Sequence, residues 1–256
     1  MAENHEQTLK PVKTILVSQP KPERSPYYEL EKKYDLTIDW RPFIHVEGLT
    51  EKEFRKNRVY PNDFSAIIFT SKNSIDHFFR LCEDMRIQMS AETKWFCKTE
   101  AVANYLQKFI VYRKRKVFVG KRTVLDLKPA LTKHKKERFF MPTSNLGAKQ
   151  FTQFLDENGF DYVAPMMYRT VSSDLSDLSD VKYDVLVFFS PLGIKSLYEN
   201  FPDFAQGDTR MAIFGNSTSR AVEEHGLTIN IKAPAPETPS MTMALEKYIR
   251  QSNLDS

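Results

Sequence analysis

Four short stretches gather hydroxyls, amides and glycines directly after apolar runs: Thr70-Ser71-Lys72-Asn73, Thr143-Ser144-Asn145, Ser190-Pro191-Leu192-Gly193 and Gly215-Asn216-Ser217-Thr218. Side chains of this kind, with the free backbone N–H groups of a helix start, can hold carboxylates or phosphates. Each serine or threonine also has a plainer use as a helix N-cap, and for any one loop both uses stay open. Tyr168, in the run Met166-Met167-Tyr168-Arg169-Thr170, is a titratable hydroxyl that can donate a proton or simply pack. No Gly-x-Ser-x-Gly elbow, phosphate-binding lysine loop or Gly-x-Gly-x-x-Gly occurs. Cys82, Cys97 and five scattered histidines make no metal-like spacing, so a structural zinc site is not expected.

The elements that must position these residues repeat. Asp184-Val185-Leu186-Val187-Phe188-Phe189 is an apolar run that stops at Ser190 and turns through Pro191 and Gly193 into a helical pattern, a buried strand feeding a helix start. The same phrase occurs as Ser65-Ala66-Ile67-Ile68-Phe69-Thr70-Ser71, with Phe69 and Phe188 119 residues apart. Phe96 and Phe214, in a second pair of strand-loop-helix phrases, are 118 apart, and Pro42 and Pro165, each inside an extended run, are 123 apart. A phrase repeated in order at nearly one offset indicates a duplicated chain. Strands alternating with helices imply an α/β protein with parallel sheets. A proline inside a strand places it at a sheet edge or in a connector. The expected organisation is a discontinuous lobe of residues 1–37 and 171–256, connector strands 38–46 and 162–170, and an inserted lobe 47–161. A hinged cleft between the lobes is the expected binding site.

Composition narrows the class. At 256 residues, with 41% hydrophobic and 27% charged residues, the chain is globular. It has no apolar run of about eighteen residues that could span a bilayer, and residues 1–13 lack a signal-peptide core, so a cytoplasmic protein without a membrane partner is expected. The net charge is +4, yet no acid lies between Glu100 and Asp126, where Lys108, Arg113, Lys114, Arg115, Lys116, Lys121 and Arg122 fall. Such a run is either a solvated face or an attraction for a polyanion, whether nucleic acid or a molecule with many carboxylates. Without a platform of interleaved stacking aromatics, nucleic acid is not the expected partner, and a monomer is expected.

The ordered set Phe69-Thr70-Ser71-Lys72-Asn73-Ser74-Ile75, Met167-Tyr168-Arg169-Thr170-Val171, Phe188-Phe189-Ser190-Pro191-Leu192-Gly193 and Ile213-Phe214-Gly215-Asn216-Ser217-Thr218, with the proline-rich approach to a last helix, resembles the uroporphyrinogen-III synthase family. The resemblance runs from Lys13 to Ile249. It implies two flavodoxin-like lobes joined by a two-stranded connector. It also implies cyclisation of hydroxymethylbilane, a linear tetrapyrrole with eight carboxylates, with loss of water and inversion of the last ring through a spiro intermediate, using no cofactor or metal. Tyr168 is then the group that protonates or orients the departing hydroxyl. Thr70, Ser71, Asn73, Ser190, Gly193, Gly215, Asn216, Ser217 and Thr218 hold substrate carboxylates, many through backbone N–H groups. Two features depart from the pattern: Cys97 and Glu100 stand where the family commonly has a glycine and a threonine, and Tyr112-Arg113-Lys114-Arg115-Lys116 is unusually basic. Glu100 would repel a polycarboxylate unless turned away or paired. These departures motivate a second expectation, a two-lobe tetrapyrrole or polyanion sensor without catalysis.

Overall fold

A computed structural model describes residues 9–178 and 180–254. The first eight residues of the polar opening, and with them the start of the expected lobe 1–37, lie outside the described residues. The chain divides into two compact units, one comprising Met1–His45 with Val171–Ser256 and the other Val46–Thr170.

In chain order the elements are β1 (Thr14–Val17), α1 (Pro26–Tyr34), β2 (Thr37–Trp40) and β3 (Ile44–Gly48); α2 (Glu51–Phe54), β4 (Ala66–Phe69), α3 (Lys72–Asp84), β5 (Lys94–Cys97) and α4 (Glu100–Leu106). Then come β6 (Val117–Val119), α5 (Lys128–Lys133), β7 (Phe139–Phe140), β8 (Thr143–Ser144), α6 (Lys149–Glu157), β9 (Tyr162–Val163) and β10 (Met166–Ser172). The last are β11 (Val185–Phe188), α7 (Pro191–Asn200), β12 (Arg210–Phe214), α8 (Asn216–Glu224), β13 (Ile229–Ala233) and α9 (Met241–Leu254).

One five-stranded sheet runs β13-β12-β11-β1-β2 and the other β6-β5-β4-β7-β9, each parallel throughout. Counted in chain order, the first is the 2-1-3-4-5 arrangement of flavodoxin-like folds. The second has the same arrangement once β7 and β9 are counted first. This circular shift matches the repeated phrases, because β4 then stands for β11 and β5 for β12. Each proline-bearing run is in fact two strands: β2 ends at Trp40 before Pro42, and β9 ends at Val163 before Pro165. Proline has no N–H to give to a ladder. The strands beyond the prolines, β3 and β10, enter a separate three-stranded sheet, β3-β10-β8.

The strands are apolar on both faces because both faces are covered. In β4, Ile67 and Phe69 face the cluster built on α3, with Ile75, Phe78, Leu81 and Cys82, while Ala66 and Ile68 face the cluster with Phe151, Phe154 and Leu155 of α6. In β11, Val185 and Val187 meet α1 and α9 through Tyr27, Leu30, Leu245 and Ile249; Leu186 and Phe188 meet α7 and α8 through Ile194, Leu197, Ala221 and Val222. Alternation along each strand thus assigns each helix its side. Among the described residues no helix is long and apolar enough to cross a membrane, and no group of three or more His, Cys, Asp or Glu is placed to hold a metal ion.

Candidate functional site

Parallel strands place all their carboxyl ends at one edge, and the strand order of the unit Val46–Thr170 reverses between β7 and β4. Ligands of such sheets bind at that switch point. There β4 delivers half-buried Thr70 and then Ser71, the N-cap of α3. Ser71 Oγ accepts from Ser74 N at 3.1 Å, Ser71 N donates to Ser74 Oγ at 3.2 Å, and Ser74 Oγ donates to the Ser71 carbonyl at 2.6 Å. Asn73 is exposed in the first turn. Tyr168 reaches the same place on β10, where it pairs with Ser144 of β8. Its side chain is 8% exposed, and its hydroxyl lies 3.4 Å from Ser71 Oγ. That is longer than an ordinary O–H···O bond, so the hydroxyl is weakly held and available to another oxygen.

The Thr143-Ser144-Asn145 loop is spent on structure. Thr143 Oγ1 donates to the Ala164 carbonyl at 3.1 Å, and the Asn145 amide exchanges hydrogen bonds with the Thr170 backbone at 2.8 and 3.0 Å. These bonds extend the ladder that carries Tyr168. The departures at Cys97 and Glu100 also resolve locally. Cys97 ends β5 with its side chain fully buried, and burial pushes its thiol up to about 12, so it is inert packing. Thr99 supplies the N-cap of α4, accepting from Val102 N at 3.4 Å. Glu100 follows as an exposed residue of the first turn, where a carboxylate suits the helix dipole.

The basic window is divided by β6. Because β6 runs parallel to β5, Arg113, Lys114, Arg115 and Lys116 precede it at the amino edge, whereas Lys121 and Arg122 follow it at the carboxyl edge, the edge of Ser71 and Thr99. Gly120 makes the turn between them: its N–H donates to the Cys97 carbonyl at 2.9 Å, and a Cβ there would lie 2.6 Å from the Lys98 carbonyl oxygen. Gly120→Ala is therefore expected to destabilise this unit by about 1–3 kcal/mol, since backbone has to move to relieve the overlap. A denaturant midpoint unchanged from wild type would contradict this.

Glu53 ties this unit's entry to β10. It accepts from Thr50 N at 2.9 Å, from Thr50 Oγ1 at 2.8 Å and from Arg169 Nη2 at 3.0 Å. The bonds from Thr50, then the one from Arg169, hold its carboxyl down to about 2. A depressed carboxylate stabilises the fold above its unfolded pKa and loses that contribution as pH falls through the folded one. Stability is expected to fall between roughly pH 4.5 and 2, and less steeply in Glu53→Gln. An acid-unfolding curve that keeps the wild-type slope in the variant would refute the assignment.

In the other unit the order reverses between β1 and β11. Ser190 after β11 caps α7 by accepting from Gly193 N at 3.3 Å. Gly193 must be glycine, because a Cβ would meet Phe188 Cδ1 at 2.9 Å. The next strand, β12, is followed by Gly215, whose φ of +86° turns the chain into α8. Among the described residues no side chain caps α8, so first-turn N–H groups there are without a side-chain acceptor. Asn216 and Ser217 are exposed there, and the fully buried Thr218 Oγ1 has no hydrogen-bond partner among the described residues. Lys21 and Arg24 lie exposed on the loop after β1. The expected site residues thus form two groups: Thr70, Ser71 and Asn73 with Tyr168 in one unit, and Ser190, Gly193 and Gly215 to Thr218 in the other. Sequence reading did not single out Lys98 and Thr99, whose local signal is the Thr-x-x-Val cap, and it placed Lys121 and Arg122 only within the basic window.

Residues 28–243 match the family model described as uroporphyrinogen-III synthase HemD. The chain belongs to the uroporphyrinogen-III synthase family. A curated uroporphyrinogen-III synthase from Chlorobaculum parvum (strain DSM 263 / NCIMB 8327) is 25% identical over 259 residues, covering 93% of this chain and 100% of the relative. Among solved structures, the uroporphyrinogen-III synthetase of Helicobacter pylori 26695 aligns with a TM-score of 0.59 at 17% identity, over 94% of this chain and 100% of that one. A mutant uroporphyrinogen III synthase of the extremely thermophilic bacterium Thermus thermophilus aligns with a TM-score of 0.54 at 14% identity, over 96% and 100%. At these identities the structures speak for the fold, and membership rests on the family model. In a member of this family, hydroxyls stand at the helix starts of each unit, and the Tyr168 hydroxyl makes only the long 3.4 Å contact with Ser71 Oγ among the described residues.

Proposed function

We propose that this member of the family is a working uroporphyrinogen-III synthase, a cyclising lyase of tetrapyrrole biosynthesis that converts hydroxymethylbilane to the rearranged macrocycle. The observation that carries the reading is the Tyr168 hydroxyl, 3.4 Å from Ser71 Oγ at the carboxyl edge of its sheet and without a stronger partner. Tyr168 gives its proton to the terminal hydroxyl as the C–O bond breaks, and water leaves. The electron pair of the adjacent pyrrole nitrogen fills the carbon left behind, giving an azafulvenium cation that becomes the azafulvene when its N–H proton is shed. The last ring attacks that carbon through its own substituted carbon, forming the spiro intermediate, which opens and recloses with the ring inverted. Little covalent chemistry falls to the protein; its work is to hold the chain folded while the reactive carbon exists.

Each unit brings its own carboxyl-edge loops to that work. Thr70, Ser71 and Asn73, with Lys98, Lys121 and Arg122, supply donors and cations in one. Ser190, Gly193 and the uncapped start of α8 from Gly215 to Thr218, with Lys21 and Arg24, supply them in the other. Charge-assisted hydrogen bonds to carboxylates are the stronger kind, and eight carboxylates spread their load over many such groups. The reading includes a cytoplasmic monomer that uses no cofactor, membrane or nucleic acid.

The test is an assay in which hydroxymethylbilane is generated in situ and the oxidised products are separated by isomer. Type III product in proportion to added protein is expected. Type I alone, with protein that is folded by circular dichroism, would overturn the proposal.

A further inference from the structure

The imidazole of His77 lies against the Tyr168 ring, with centroids 5.0 Å apart and planes inclined by 16°. His77 is on α3, nearly two turns beyond the Ser71 cap, so the helix that places Ser71 beside the tyrosine hydroxyl also places a ring on the tyrosine face. The imidazole makes no hydrogen bond among the described residues, and its Nδ1 is buried without a partner. With nothing else to fix it, its orientation follows from the stack and from the backbone behind it. That backbone is Gly48 of β3, where a Cβ would lie 2.7 Å from His77 Nδ1 and 2.5 Å from Arg80 Nη2. The arrangement is thus closed on one side by a strand with no side chain and on the other by Tyr168.

We infer that His77 is a positioning residue for Tyr168, acting as a neutral ring whose stack fixes the direction of the Tyr168 hydroxyl. The inference rests on the reading of Tyr168 as the proton donor. The charges that act on His77 are Asp76 and Arg80 of its own helix; Tyr168 of β10 covers its face, and β3, which also carries His45 and Glu47, approaches it through Gly48. Arg80 is immobile: Nη1 donates to Asp84 Oδ2 at 2.8 Å and Nη2 to the Leu49 carbonyl at 2.7 Å. Asp76 is engaged by the Tyr105 hydroxyl at 2.8 Å. Burial, then the Arg80 charge, lowers the His77 pKa against a smaller opposing effect of Asp76. At neutral pH the ring is uncharged and stacks. Protonation in acid would put a second cation beside the Arg80 guanidinium, and that repulsion would shift the imidazole and with it the direction of the hydroxyl.

His77→Ala and His77→Phe separate the ring from its charge. In the isomer-resolved assay His77→Ala should lose kcat by about tenfold, because the acid is less well aimed, with KM within about twofold because carboxylate binding is untouched. His77→Phe keeps a flat ring and should restore kcat. It should also abolish the acid limb of the wild-type kcat profile expected below about pH 6.5, the usual histidine value. A wild-type kcat in His77→Ala, equal losses in both variants, or an acid limb unchanged in His77→Phe would each overturn the inference. Should His77→Ala fail to fold, kcat and the pH profile of His77→Phe decide alone. Wild-type protein that makes no type III isomer would sink the synthase reading itself; active wild type with an indifferent His77→Ala would sink only the role of His77.

Discussion

Tyr168→Phe is expected to lower kcat by about 10²-fold or more, the lower end for loss of a positioned general acid, while KM and the fold hold. The ring stays, and with it its place in the core that includes Phe69, Phe78 and Phe140 and the stack with His77. Only the hydroxyl goes. Its contact with Ser71 Oγ is long at 3.4 Å, and Ser71 keeps its capping bonds with Ser74 in any case. Stability should therefore change by less than about 1 kcal/mol, the net worth of one ordinary hydrogen bond. Departure of the terminal hydroxyl without a proton is the step that slows. Turnover indistinguishable from wild type, measured on single-turnover consumption of hydroxymethylbilane, would remove Tyr168 from the mechanism.

The repeat was legible because both halves meet the same physical demand at the same point. A strand buried on both faces must be apolar throughout, as β4 and β11 are, and must then deliver a capping serine, as Ser71 and Ser190 do. Pro42 and Pro165 were legible for a related reason, since each ends one ladder. The sequence did not show that each proline divides two strands of different sheets, because a ladder depends on partners far along the chain. Nor did it show β6, three residues between a cationic run and a glycine, too short for any period to register. Without β6 the cations read as one cluster, although the strand sends them to opposite edges. Thr143-Ser144-Asn145 looked like the other loops because composition reveals hydroxyls and amides but not that the Ala164 carbonyl, Leu146 N and Thr170 of β10 have taken them. At β5 the apparent departures came from position: the capping threonine sits at Thr99, one residue before Glu100, and the alternation of a strand turns Cys97 into the core.

Phe69→Ala is expected to cost the unit Val46–Thr170 about 3–5 kcal/mol, the range for emptying a fully buried aromatic site. Phe69 is wholly buried and meets Phe78 edge-on at 5.3 Å, Trp95 in a stack at 5.9 Å and 7°, and Phe79 at 6.2 Å. The space cannot readily close. β4 is held in register with β5 through Phe69 and Cys97, and α3 is fixed at its start by the Ser71–Ser74 capping box two residues beyond. The loss is a large share of the roughly 5–15 kcal/mol that stabilises a typical domain. The two tryptophans of the chain distinguish local from general damage, because Trp95 stacks on Phe69 whereas Trp40 packs against Tyr27 in the other unit. In a Trp40→Phe background the Trp95 emission should report an early unfolding step in Phe69→Ala. In a Trp95→Phe background the Trp40 transition should move less. Coincident transitions shifted by the same amount would mean that the two units unfold as one. A shift below about 1 kcal/mol in the Trp95 transition would mean that the aromatic cluster relaxes around the deletion. Activity should fall with the Trp95 transition, because the strand that loses its anchor is the one that carries Ser71 to the Tyr168 hydroxyl.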